Sequence, residues 1–167
     1  MTELDLVWSQ MLAAAAEHAK ISGNTDLVEY LRLKATNDAI RAAGVKWLVD
    51  SMIEIAAEAS ISRPQLKIER IEPHTFKRGT SQMRGQLLSI DLGVRCLHLQ
   101  TGWTRTPSDG VMRGAALAAA DILHFGMTKH NAELRLVRGN ELPHWLDAAG
   151  TPVTLDNLRH HLGILLG

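Results

Sequence analysis

Apolar residues recur at helical spacing through residues 1–60, alternate with polar ones through the middle, and return to helical spacing at the end. Thr2 is placed to cap a first helix, with Leu4, Val7, Met11, Ala15, His18 and Ala19 near one face and Gly23 as its stop. Asn24 or Thr25 caps a second, running through Leu27, Leu31 and Ala35 toward Arg41. Beyond Gly44, the positions Val45, Leu48, Met52, Ile55, Ala56 and Ala59 form an amphipathic stripe. A glycine costs a helix about 1 kcal/mol relative to alanine. Two helices or one bent helix both fit around Gly44, and a break there is the preferred reading. Trp47 lies about 100° round from Leu48, where it would anchor a second contact within the chain or across a dimer.

Ser62-Arg63-Pro64 closes the helical region, because a residue before proline avoids the α conformation. From Gln65 to Ile71, Leu66 and Ile68 alternate with Lys67 and Glu69, as in a strand. Glu72 to Ser81 contains Pro73 and Gly79 and reads as a loop or wide connection. Residues 83–91 and 94–101 form a hairpin turning near Leu92-Gly93. Leu97 and Leu99 face one way on its second strand, while Val94, Cys96, His98 and Gln100 face the other. After the Pro107–Gly110 turn, Ser108 or Asp109 is expected to cap a helix from Val111 to Phe125, ended by Gly126. Its interior, AALAAADILHF, is apolar almost all round and would lie buried beneath a sheet.

Two further strands are predicted over Glu133–Arg138 and Leu142–Leu146, joined through Gly139-Asn140, with Pro143 marking an edge. Thr154 then caps a last helix with Leu155, Leu158, Leu162 and Leu165 on one stripe. The order predicts an α+β fold: amino-terminal helices, then an antiparallel sheet of about five strands with helices packed on one face. The chain divides into a helical region, 1–60, and an antiparallel sheet with two helices, 61–167, together one compact domain.

Composition narrows the class. With 167 residues, 46% of them hydrophobic and 22% charged, the chain supports one folded core. No apolar run reaches the roughly 18 residues of a membrane span. Glu3 and Asp5 stand where a signal peptide would carry Lys or Arg, so a cytoplasmic protein is expected. Cys96 is the only cysteine, which excludes an internal disulfide and a cysteine-based zinc cluster. The net charge is zero but uneven. Residues 1–60 carry five Lys/Arg against nine Asp/Glu, residues 61–139 twelve against six, and residues 140–167 one against three. The middle of the chain is therefore basic, and seven of its first nine basic residues are arginine.

Recognition chemistry concentrates in GWTRTPSDGVMRG, residues 102–114. Trp103, Arg105, Asp109 and Arg113 would bring an aromatic face, two cations and the N–H groups of a helix start to one place, with Arg78, Arg84 and Arg95 nearby. The structural alternative has Asp109 capping, Trp103 filling the core edge and the arginines pairing with carboxylates. Lys77, Arg78, Arg84 and Arg95 could extend a basic track for nucleic acid. Against that stand only four Trp, one Tyr and two Phe for base stacking, and no RNA-binding or zinc-finger motif. Cys96 and His98, two apart on a strand, stand about 6–7 Å apart, too far for a direct thiolate–imidazole bond.

Asp121-x-x-His124 with His130 resembles no established metal signature, and the adjacent His160 and His161 point in different directions on a helix. Asp121, inside an apolar stretch, calls for a partner such as Arg84 or Arg95. Walker, GxSxG and GxGxxG patterns are absent. The sequence thus predicts a non-catalytic binding or adaptor protein without cofactor or metal, whose Arg-rich region 63–113 contacts an acidic protein or a phosphate-bearing ligand. The alternatives are a nucleic-acid-binding accessory protein, and a small enzyme using His98, Asp121 or His124 in a pocket near the 110–125 helix. Pairing with a second copy through the amino-terminal helices is also expected, since they offer more apolar area than one small sheet covers.

Overall fold

The computed structural model describes residues 8, 10–14, 25–112, 114, 116–139 and 142–167. Two compact units are formed, Met1–Ala43 and Gly44–Gly167. In the first, residues 10–14 are helical, and Thr2, Leu4, Val7, Ala15, His18, Ala19, Gly23 and Asn24 lie outside the described residues. There the Trp8 indole donates to Asp38 over 3.4 Å, and the Lys34 ammonium sits 5.4 Å from the Trp8 ring.

The expected break at Gly44 does not occur: helix α1 runs unbroken over Thr25–Ser62. Gly44 serves close approach instead of termination. A Cβ there would stand 2.5 Å from Leu136 Cδ2, and the Gly44 carbonyl accepts the Trp145 indole N–H at 2.9 Å. Val45, Leu48, Val49, Met52, Ile55 and Ala56 are buried, while Trp47 is exposed. The periodic stripe is real, and the glycine within it is a packing device.

Six antiparallel strands follow in chain order: β1 (Lys67–Arg78), β2 (Ser81–Leu92), β3 (Arg95–Trp103), β4 (Ala118–His124), β5 (Ala132–Val137) and β6 (His144–Leu146). The architecture is α+β with six strands instead of about five. Two sequence expectations are corrected here. Residues 72–78 are strand, not loop. Pro73 is accommodated because β1 is an edge strand, where a missing N–H leaves no ladder bond unmade, and the register shifts between Ile71 and His74. Gly79, at φ 62°, makes the tight turn into β2.

The helix expected over Val111–Phe125 is absent as well, for Ala118–His124 is strand β4, bonded to β3 on one side and β5 on the other. A central strand buried on both faces reads as an unbroken apolar run, and that run has no period to distinguish it from a buried helix. The register sets Leu88 beside Leu99 beside Ile122, and Ile90 beside Leu97 beside His124, all buried. Helix α2 (Leu155–Leu166) begins as the sequence predicts. Thr154 Oγ1 accepts the Asn157 N–H at 3.3 Å, Asn157 Oδ1 accepts the Thr154 N–H at 2.8 Å, and Leu158, Leu162 and Leu165 are buried. Among the described residues no helix is long and apolar enough to cross a membrane.

Candidate functional site: the corner between β3 and β4

The corner is built on the glycine pair Gly85 and Gly102, which face each other across β2 and β3. A side chain on Gly85 would overlap the Thr101 carbonyl, and one on Gly102 would stand 2.6 Å from the Arg84 carbonyl oxygen. The strands come together there because neither residue has a Cβ. Beyond this point Phe76, Met83 and Ala119 form a small second core, against which Met112 packs. The segment after β3 is fastened to it. Ser81 Oγ donates to the Val111 carbonyl at 3.1 Å, and Gly110, at φ 98°, fits against Ser81.

Asp109, 3% exposed, is the centre of the corner. Its carboxylate accepts from Arg84 Nε at 3.0 Å, Arg84 Nη2 at 2.9 Å, and the backbone N–H groups of Arg105 and Thr106 at 2.9 and 3.1 Å. The Arg84 bonds, followed by that of the Arg105 N–H, hold its carboxyl well below the usual carboxylate range. Asp109 raises Arg84 in return, through the same hydrogen bonds and its charge. The expected helix start is therefore replaced by a different device. Pro107–Asp109 is a single tight turn, and Asp109 satisfies N–H groups before it where a helix would have offered N–H groups after it.

Above the carboxylate, the Arg105 guanidinium lies 3.7 Å over the Trp103 ring, with Nη2 donating to the Arg84 carbonyl at 3.2 Å. The Arg84 side chain remains 46% exposed. Trp103, Arg105, Arg84 and Asp109 are thus brought together, and Arg113 lies outside the described residues.

Arg78 and Arg95 belong elsewhere. Arg78 Nη2 binds Asp121 Oδ1 and the Ala120 carbonyl, and Nη1 donates to the Leu134 carbonyl at 3.1 Å. Gln100 Nε2 donates to the other Asp121 oxygen at 3.0 Å, and Gln100 Oε1 lies 3.0 Å from His74 Nε2. The partner of Asp121 is Arg78, not Arg84 or Arg95, because the end of β1 reaches across to β4. Gln100 and His74 escaped the sequence reading. The alternation that placed Gln100 opposite Leu99 was the available signal for the former, and nothing local marked the latter. Arg95 Nη1 donates to the Leu165 carbonyl at 3.2 Å.

The other candidates resolve into separate contacts. Burial first, and then Asp91, push the Cys96 thiol up to about 11, which disfavours the thiolate; its sulfur lies 3.7 Å from Ser89 Oγ. His98 is lowered by burial and packs edge-on to Phe125 at 4.6 Å. Strand geometry sends Asp121 and His124 to opposite faces. No group of three or more His, Cys, Asp or Glu able to hold a metal occurs among the described residues. Cavities of about 400 and 100 Å³ lie beside Ala132 and Asp147, away from the corner.

Comparison with protein-family models, with curated proteins and with solved structures gives no significant match to this chain. Two guanidinium groups held in fixed orientations beside an indole face can receive a carboxylate or phosphate with little loss of side-chain freedom.

Proposed function

We propose that this is a non-catalytic binding protein that docks a carboxylate-rich, acidic protein surface on the corner of Trp103, Arg84 and Arg105. The observation that carries the reading is the Arg105 guanidinium stacked on Trp103 beside an Arg84 that is itself held by Asp109. Asp109 fixes the Arg84 guanidinium and the Trp103 ring fixes that of Arg105, so the corner is oriented before any partner arrives. Part of the reading is that the helices cover the sheet face of Leu88, Leu99 and Ile122, leaving this end of the sheet for the partner. The reading also takes the protein to work in the cytoplasm, where a single thiol stays reduced.

The test is fluorescence anisotropy of a labelled poly-glutamate peptide against the wild type and Arg105→Ala. Saturable binding, weakened about tenfold by loss of a cation–π-oriented charge, is expected. A labelled single-stranded oligonucleotide that binds more tightly, with affinity falling steeply with salt, would favour nucleic acid instead. No binding of either probe would overturn the proposal. Pairing of two copies through the amino-terminal helices is a separate part of it, motivated by exposed Trp8 and Leu33; a monomeric mass in light scattering at micromolar concentration would contradict that part.

A further inference from the structure

We propose that His124 and His161 form an acid-sensitive latch that joins α2 to the sheet near neutral pH and releases it on acidification. His124 sits on β4, 1% exposed, and its Nε2 lies 2.8 Å from Nδ1 of His161 on α2. The other His124 nitrogen, Nδ1, is buried without a hydrogen-bond partner. That fixes the tautomers. A buried N–H without an acceptor costs more than a bare lone pair, so Nδ1 carries no hydrogen and Nε2–H donates to a bare His161 Nδ1. Both rings are then neutral, and a further proton either breaks this bond or charges a buried nitrogen that has no acceptor. A proton on His161 Nδ1 sets two N–H groups against each other. A proton on His124 Nδ1 places a buried cation with no acceptor.

The surroundings do little to offset such a charge. From the turn at Thr128–His130 comes His130, its ring 5.9 Å from that of His124, with Lys129 beside it in sequence. From α2 itself comes His160, 6.0 Å from His161, while Asp156 is engaged with Arg159. The neighbour on β3 is Leu97, directly opposite His124, and Arg95 at the start of that strand is a further cation. One carboxylate, Asp147, shares the small cleft beside His161, but its Oδ1 accepts the N–H groups of Ala149 and Thr151. Two of the nearest titratable groups, His130 and His160, are thus imidazoles that add positive charge when protonated. Burial, and then His124, lower His161 to about 4, and His124 is lowered by burial with His130 next.

A histidine whose folded value is depressed binds more protons when released, so docking is complete above about pH 6.5, the ordinary imidazole value. It weakens as pH falls toward about 4. One proton taken up on release multiplies the open fraction by up to about tenfold per pH unit. Release would uncover Leu158, Leu162 and Leu165, an apolar stripe hidden at neutral pH.

Hydrogen exchange of the α2 amides, corrected for intrinsic rates, tests this on the full chain at pH 7 and pH 5. Protection of residues 158–165 is expected to fall more than tenfold while Leu97 and Leu99 on β3 keep theirs. In the double variant His124→Phe/His161→Phe, whose rings fill the space without titrating, the fall should vanish. Equal α2 protection at both pH values in the wild type, or the same fall in the double variant, would overturn the latch. If the double variant does not fold, proton NMR of the wild-type imidazoles decides. A His161 midpoint well under the ordinary value, coincident with α2 exposure, supports it, and an ordinary midpoint with α2 undisturbed refutes it.

Discussion

Two arginine–aspartate pairs stand on this sheet and do different work. In the Arg78–Asp121 pair the guanidinium also binds two strand carbonyls, Asp121 also accepts from Gln100, and the side chains are 25% and 12% exposed. Its hydrogen-bonding capacity is turned inward, stitching the end of β1 to β4 and β5. In the Arg84–Asp109 pair the carboxylate is more enclosed, yet the guanidinium is 46% exposed and has Arg105 and Trp103 beside it. The same two residue types therefore make a clasp in one place and a presented charge in the other. What decides is whether the guanidinium also meets strand carbonyls, as at Arg78, or meets a carboxylate on a turn that leaves it half exposed, as at Arg84.

Breaking the clasp gives the largest effect. Asp121→Ala leaves a largely enclosed guanidinium unpaired and should cost about 3 kcal/mol in urea unfolding; a loss below about 1 kcal/mol would erase the distinction between the pairs. Gly85→Ala attacks the frame of the corner. With the added Cβ overlapping the Thr101 carbonyl, the strands must part, at about 2 kcal/mol, and acidic-peptide binding should fall with stability. Arg105→Ala separates the two properties: stability should change by less than about 0.5 kcal/mol, while acidic-peptide affinity falls about tenfold. Equal losses in both would make the corner structural. The smallest effect is the acid dependence of the corner itself. Asp109 is depressed by Arg84, so its stabilisation is full above about pH 4, the ordinary carboxylate value, and is lost below it. Asp109→Asn should remove that part of the acid dependence of unfolding.

Local signals made part of this legible beforehand. The cap at Thr154, the leucine stripe of α2 and the turn at Gly93 were readable because each is fixed by residues a few positions apart. Ala118–His124 was misread because burial on both faces erases period. Gly44 was misread because its neighbour Leu136 lies far along the chain. At the corner, Trp103, Arg105 and Asp109 could be named from their spacing and Arg84 from the charge cluster, but the diversion of Arg78 to Asp121 joins residues far apart in the chain and had no local signal. Charge clustering in sequence indicated where arginines are plentiful. Which of them turn outward is decided by long-range pairing.

The most direct test of the docking corner is an NMR titration of the labelled protein with an acidic peptide, following the Trp103 indole N–H and the arginine Nε–H signals. Shifts concentrated at Trp103, Arg84 and Arg105, with Arg78 and Arg95 unmoved, are the predicted result. Shifts centred on another face, or spread evenly over all the arginines, would contradict it.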